Sequence, residues 1–138
     1  MEVIYIMNDK YTHKEGLVYL NQYHIIFCPK YRRKVLVDDI ERDLKEIFHI
    51  VAIEKQVEIK ALEVMPDHVH LFIAFDPRQP LHELIKLFKG RSSKILRDKY
   101  PKLKSRIPSL WTRSYFCCTI GHISEETIHQ YIENQKYV

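Results

Sequence analysis

Residues 57–75 read VEIKALEVMPDHVHLFIAF, and the fold follows from this stretch. Val57 to Val64 alternates loosely between apolar and polar side chains, Met65-Pro66-Asp67 has turn chemistry, and His68 to Phe75 is a second β-rich run. Together they predict a β-hairpin. Upstream, Asp38 and Asp39 can cap a helix, in which Ile40, Leu44, Ile47, Phe48 and Val51 recur at helical spacing to about Lys55. Before that helix, LVYLNQYHIIFC (17–28) suits a single strand that Pro29 ends. Downstream, Pro80 opens a second helix whose stripe of Leu81, Leu84, Ile85, Phe88, Ile95 and Leu96 is interrupted near Gly90 to Ser93, and which runs to Tyr100. Residues 101–110 read as a loop, and WTRSYFCCTI (111–120) as a strand. Ser124 is an N-cap for a last helix. The order β-α-β-β-α-β-α predicts an α+β fold: a split βαβ, ferredoxin-like or RRM-like sandwich, with an antiparallel sheet and an extra C-terminal helix.

The chain has 138 residues, 46% of them hydrophobic, which is enough for one core, and no linker or repeat divides it. We expect one domain over 1–138, with residues 1–14 a poorly readable extension and 123–138 the C-terminal helix. A formal charge of +4 tilts only slightly towards an anionic partner. Cys28, Cys117 and Cys118 form an odd set without metal or redox spacing, as expected of reduced thiols. No apolar stretch is long enough to span a bilayer, so the expectation is a cytoplasmic protein with no membrane partner.

His68 and His70 are two apart in a strand, so both side chains leave the same face and one metal ion can meet them. On spacing alone, one buried histidine beside a solvated one fits equally well. Two ligands do not complete a site. Asp67 is adjacent, but strand alternation points it to the other face, and a turn role suits it better.

Tyr131 and Gln135 are four apart, one turn from each other on a helix. A neutral amide ligand leaves the ion its full charge, which suits chemistry on an anionic phosphodiester. Tyrosine is a poor nucleophile at neutral pH unless assisted, yet it can form a stable phosphotyrosine bond. Spacing by itself reads Tyr131, beside Ile128 and Ile132, as packing on the inner face of an amphipathic helix.

Four stretches change that balance: NQYHIIFCPKYRRKVL (21–36), MPDHVHLFI (65–73), LWTRSYFCCTIG (110–121) and ETIHQYIENQ (126–135). Together they resemble the single-tyrosine HUH transposases of small bacterial and archaeal insertion sequences, in the family's order over roughly residues 16–138. The resemblance implies that His68 and His70 are the paired histidines around a bulky Val69, Tyr131 the nucleophile and Gln135 the third metal ligand. It implies Mg²⁺ or Mn²⁺, and attack on single-stranded DNA that leaves a 5′-phosphotyrosine and a 3′-hydroxyl able to reseal another strand, for excision and insertion. It further implies DNA with hairpin ends, and a homodimer in which the tyrosine helix can complete the partner's site. Gly121-His122 offers a hinge for such an exchange.

Lys30, Tyr31, Arg32, Arg33 and Lys34 combine phosphate-seeking cations with an aromatic able to stack on a base. Lys86, Lys89, Arg91, Lys94 and Arg97 lie off the apolar stripe of the second helix, where they can line a backbone groove or simply be solvated. Lys102, Lys104, Arg106 and Arg113 extend the basic tract, with Trp111 reading as core. Rival readings are a relative acting on palindromes in the host chromosome, a replication or transfer initiator, which the short chain disfavours, and a non-catalytic single-strand binding module.

Overall fold

The computed structural model describes residues 10–119, 123–136 and 138. Along the chain run β1 (Thr12–Lys14), β2 (Leu17–Tyr19), β3 (Gln22–Phe27), a 3₁₀ turn (Lys30–Arg32), α1 (Asp38–Lys55), β4 (Glu58–Met65), β5 (His68–Ala74), α2 (Leu81–Lys99), α3 (Pro101–Arg106), β6 (Phe116–Cys118) and α4 (Glu125–Glu133). The expected hairpin is β4–β5. In β5, Val69, Leu71 and Ile73 are wholly buried while His68, His70 and Phe72 between them are partly exposed, the period-two mark of a strand with one face in a core.

The main sheet has the order β4-β5-β3-β6 with every pair antiparallel, as the split βαβ pattern requires. One face carries Ile25, Phe27, Val69, Leu71 and Ile73 into a core shared with Leu44, Phe48 and Val51 of α1 and Leu84, Phe88 and Leu96 of α2. Phe48 is the hinge of that packing, in edge contact with Phe88 and tilted against Phe27. Each such side chain contributes about 1.5–3 kcal/mol on burial. That exceeds what a helix cap supplies, and neither α1 nor α2 has a side-chain cap. Asp38 and Asp39 therefore act as charges in the first turn of α1, not as the expected capping acceptors.

Three boundaries differ from the sequence reading. The run 17–28 is two strands: β2 pairs with β1 in a separate hairpin turned at Gly16 (φ +80°), a conformation glycine adopts without strain. Between β2 and β3, Asn21 is held by paired bonds to Phe75, its side-chain amide donating to the carbonyl and its own carbonyl accepting from the amide. The interruption in the α2 stripe does not break the helix. Ser92 is fully buried there, donating to the Phe88 carbonyl and accepting from the Trp111 indole N–H at 3.0 Å. Residues 101–106 form a helix with Pro101 in its first turn, where a missing N–H is no loss. Only Phe116–Cys118 of the expected last strand pairs with β3; Trp111 instead bridges to Pro29 and packs edge-on against Phe27 in the core.

Ser124 caps α4 as expected, its hydroxyl accepting from the Thr127 amide. The helix ends at Glu133, so Gln135 lies in the turn beyond it, its amide bonded to the Ile132 carbonyl. Through Ile128, Tyr131 and Ile132, α4 packs on the sheet face opposite α1 and α2, against Ile26 and Cys28 of the same chain. Gly121-His122 lies outside the described residues. No helix among the described residues is long and apolar enough to cross a membrane.

Candidate active site

Strand alternation sends His24 and Ile26 from β3, with Cys28 just after it, and His68, His70 and Phe72 from the adjacent β5, to the face that α4 covers. Register puts His70 opposite Ile26, and His24 opposite Phe72, on whose ring it stacks at 4.0 Å. His68 Nδ1 is 2.9 Å from Asp67 Oδ1. An Nδ1–H donated to that carboxylate leaves Nε2 with its lone pair outward, the second-sphere arrangement that orients metal-binding histidines. Asp67 precedes the strand, so alternation does not govern it, and it turns towards His68 instead of away.

His70 Nε2 meets His24 Nδ1 at 3.0 Å. One of the two rings donates, and a proton on His70 Nε2 leaves its Nδ1 as the electron-pair donor. Burial, followed by the neighbouring His24, lowers the His70 pKa, which favours the neutral, ligating imidazole.

Tyr131 and Gln135 converge on Ser114. The Ser114 hydroxyl donates to Gln135 Oε1 at 2.6 Å and lies 3.0 Å from the Tyr131 hydroxyl, which is left as the donor. Gln135 is 7% exposed and Tyr131 is partly buried beside Phe116. Burial pushes the Tyr131 phenol up to about 12, opposed by the Ser114 bond. The phenol is therefore neutral as it stands.

The segment presenting Ser114 is fixed from the opposite layer. Lys89 of α2 donates to the carbonyls of Thr112 (2.7 Å) and Ser114 (3.2 Å), and lies over the rings of Phe27 and Tyr115. Burial lowers its pKa to about 8. Lys89 thus points inward, away from the solvent face on which a phosphate contact was expected, because it borders the apolar stripe where α2 meets residues 112–114.

The other basic candidates lie elsewhere. Arg91 pairs with Glu54 and Lys94 with Asp98 on the surface of α2. Lys30 sits over the exposed Tyr31 ring, while Arg33 and Lys34 share a cleft with Arg106. Arg32 is paired with both Asp67 and Glu133.

No set of three His, Cys, Asp or Glu side chains among the described residues gathers closely enough to hold a metal ion. A divalent ion here would rely on the two imidazoles and a neutral oxygen donor, and Gln135 Oε1 keeps one lone pair beyond its bond from Ser114. The donor chemistry fits such an ion. No hydrogen bond among the described residues joins either histidine to Tyr131 or Gln135. Ser114, His24 and Asp67 as an orienting carboxylate escaped the sequence reading, since each acts through a contact between segments distant or irregular in the chain.

Comparison with known proteins covers most of the chain. Residues 17–135 match the model of the family described as transposase IS200-like. The ISDra2 transposase TnpA of Deinococcus radiodurans is 38% identical over 122 residues, 87% of each chain. The transposase for insertion sequence element IS200 of Salmonella typhimurium is 31% identical over 116 residues, 83% of this chain and 76% of that one. A crystal structure of a transposase candidate from Deinococcus radiodurans superposes with a TM-score of 0.84 at 37% identity, covering 92% of this chain and 99% of that one. A REP-associated tyrosine transposase bound to a REP hairpin shares the fold, with a TM-score of 0.55 at 15% identity over 86% of this chain and 70% of that one. With matches of this extent to sequence and structure alike, the chain belongs to the IS200-like transposase family.

Proposed function

We propose that this transposase cuts and rejoins single-stranded DNA through a covalent bond to Tyr131, at a site where His68, His70 and Gln135 hold a divalent ion. The observation that carries the reading is the convergence on Ser114 of Tyr131, from a helix docked to the sheet face that bears both histidines, and Gln135, from the turn after it. Loss of the phenol proton frees Tyr131 Oη to attack the scissile phosphorus. A bond forms from Oη to phosphorus, the 3′-oxygen leaves with its electron pair and takes up a proton, and a 5′-phosphotyrosine results. Attack by the 3′-hydroxyl of another strand reverses these steps and returns the proton to Tyr131. Mg²⁺ or Mn²⁺ bound at the site supplies Lewis-acid polarisation of the phosphate.

Because the phosphotyrosine conserves the energy of the broken bond, rejoining needs no nucleotide cofactor. Arg33, Lys34 and Lys30 with Tyr31 are suited to phosphate and base contacts that position DNA without reading its sequence. The relative solved with a REP hairpin supports hairpin-ended DNA as the substrate class. The reading includes a homodimer, in which α4 can serve its own site or the partner's.

The test is a hairpin-bearing oligonucleotide incubated with Mn²⁺. A covalent protein–DNA adduct is expected from the wild-type chain and none from Tyr131→Phe. An adduct that survives the substitution overturns the assignment.

A further inference from the structure

Four side chains form an unbroken polar line from the histidine strand to the tyrosine helix. His68 Nδ1 meets Asp67 Oδ1 at 2.9 Å, Asp67 Oδ2 meets Arg32 Nε at 3.3 Å, and Arg32 Nη1 meets Glu133 Oε1 at 2.8 Å. Arg32 is the middle of the line. Its guanidinium offers separate N–H groups at fixed angles, so one cation can hold carboxylates on two different segments; a lysine ammonium lacks that fork. The Arg32 side chain is 19% exposed and so is that of Asp67, which places the inner pair largely out of solvent.

The backbone is bent to deliver this side chain. Tyr31 and Arg32 are consecutive non-glycine residues at φ 59° and 51°, in the left-handed region that costs such residues energy. The same turn receives the chain terminus, since the Tyr31 amide donates to the Val138 carbonyl at 3.1 Å. Strain in two adjacent residues persists only where surrounding contacts fix it, and the contacts here are with Asp67, Glu133 and Val138.

We infer that Arg32 is a positioning residue that clips the end of the Tyr131 helix, through Glu133, to the Asp67–His68 turn, so that docking of the helix and orientation of His68 are set together. This deepens the function proposed above, since the clipped helix carries the proposed nucleophile. The outer contact of the clip is electrostatic and partly screened by solvent, since the Glu133 side chain is half exposed.

The experiment compares wild-type, Arg32→Ala, Arg32→Lys, Glu133→Gln and the double variant Arg32→Ala/Glu133→Gln as full-length proteins. Hydrogen exchange of residues 123–136 is followed without DNA or metal, together with the ¹⁵N signature of the His68 tautomer. Glu133→Gln should speed exchange in α4 about two- to fivefold, the range for a partly exposed ion pair, and leave α1 and α2 unchanged. Arg32→Ala should do the same and also weaken the single-tautomer signature of His68, while the double variant should be no worse than Arg32→Ala. Arg32→Lys should restore one of the two effects but not both. Unchanged α4 exchange in both single variants overturns the inference, as does strict additivity in the double variant. Because these readouts need no DNA, they stand apart from the adduct test: a wild-type chain that forms no adduct sinks the proposed chemistry and leaves the clip to be judged on exchange.

Discussion

Ser114 Oγ lies 2.6 Å from Gln135 Oε1, with its only proton directed at that oxygen. The hydroxyl therefore receives the Tyr131 proton as an acceptor, and one serine fixes the distance between the proposed nucleophile and the proposed third ligand. Ser114→Ala should slow adduct formation about tenfold or more at saturating hairpin DNA while leaving hairpin affinity within about twofold, because phosphate contacts supply most binding. Ser114→Thr, which keeps the hydroxyl, should recover much of the rate. Equal losses in the alanine and threonine variants would assign Ser114 to packing.

Asp67 Oδ1, 2.9 Å from His68 Nδ1, orients that imidazole. Asp67→Ala should raise the Mn²⁺ concentration needed for half-maximal adduct formation by about 10- to 100-fold, the usual penalty for losing a ligand-orienting carboxylate. Titration of Mn²⁺ at fixed DNA measures it, and an unshifted midpoint excludes the orienting role.

Lys89 couples the helix layer to residues 112–114. Replacing it with methionine keeps the stem but strands two carbonyls, which should lower stability by about 1–3 kcal/mol in urea unfolding. A surface lysine would change stability by less than about 0.5 kcal/mol. Adduct formation should fall with it, since the Ser114 carbonyl is one of the two.

The Tyr131 phenol sits at about 12 in the folded chain and ionises near 10 when unfolded. Its pKa is raised, so its contribution to stability is complete below pH 10 and is lost as the pH climbs from 10 towards 12, where the unfolded chain has released the proton and the folded chain has not. Between pH 9 and pH 11, Tyr131→Phe should lose up to about 1 kcal/mol less stability than wild-type. Parallel losses would mean that the phenol is solvated.

Legibility in the sequence followed periodicity. The β4–β5 hairpin, the shared face of His68 and His70, and the stripe of α1 all follow from repeats of two or 3.6 residues that burial then rewards. Tyr131 and Gln135 carry no such signal. Spacing by itself favours packing for Tyr131, and only the four motifs taken together as a family resemblance reverse that balance. What stayed hidden depends on segments without a period. Alternation extended one residue beyond β5 points Asp67 to the wrong side, because the residue lies in the turn. Arg32 and Lys89 read as solvent-facing cations, since nothing local announces that a carboxylate 101 residues away or a pair of loop carbonyls will meet them. The run 17–28 is continuous in composition, and it is divided by the pairing of β2 with β1 and the contact of Asn21 with Phe75.

The interruption of the α2 stripe at Ser92 carries a consequence for how this chain can change over time. The Trp111 indole N–H finds its acceptor in the Ser92 hydroxyl, and both side chains are buried in the core. Losing Ser92 strands the indole N–H, whereas losing Trp111 leaves the Ser92 hydroxyl bonded to the Phe88 carbonyl, and replacing both with apolar side chains of matched volume can be nearly neutral. Position 92 is therefore constrained by position 111: among descendants of this sequence, loss of the hydroxyl at 92 should be found with a compensating change at 111, whereas 111 can change first.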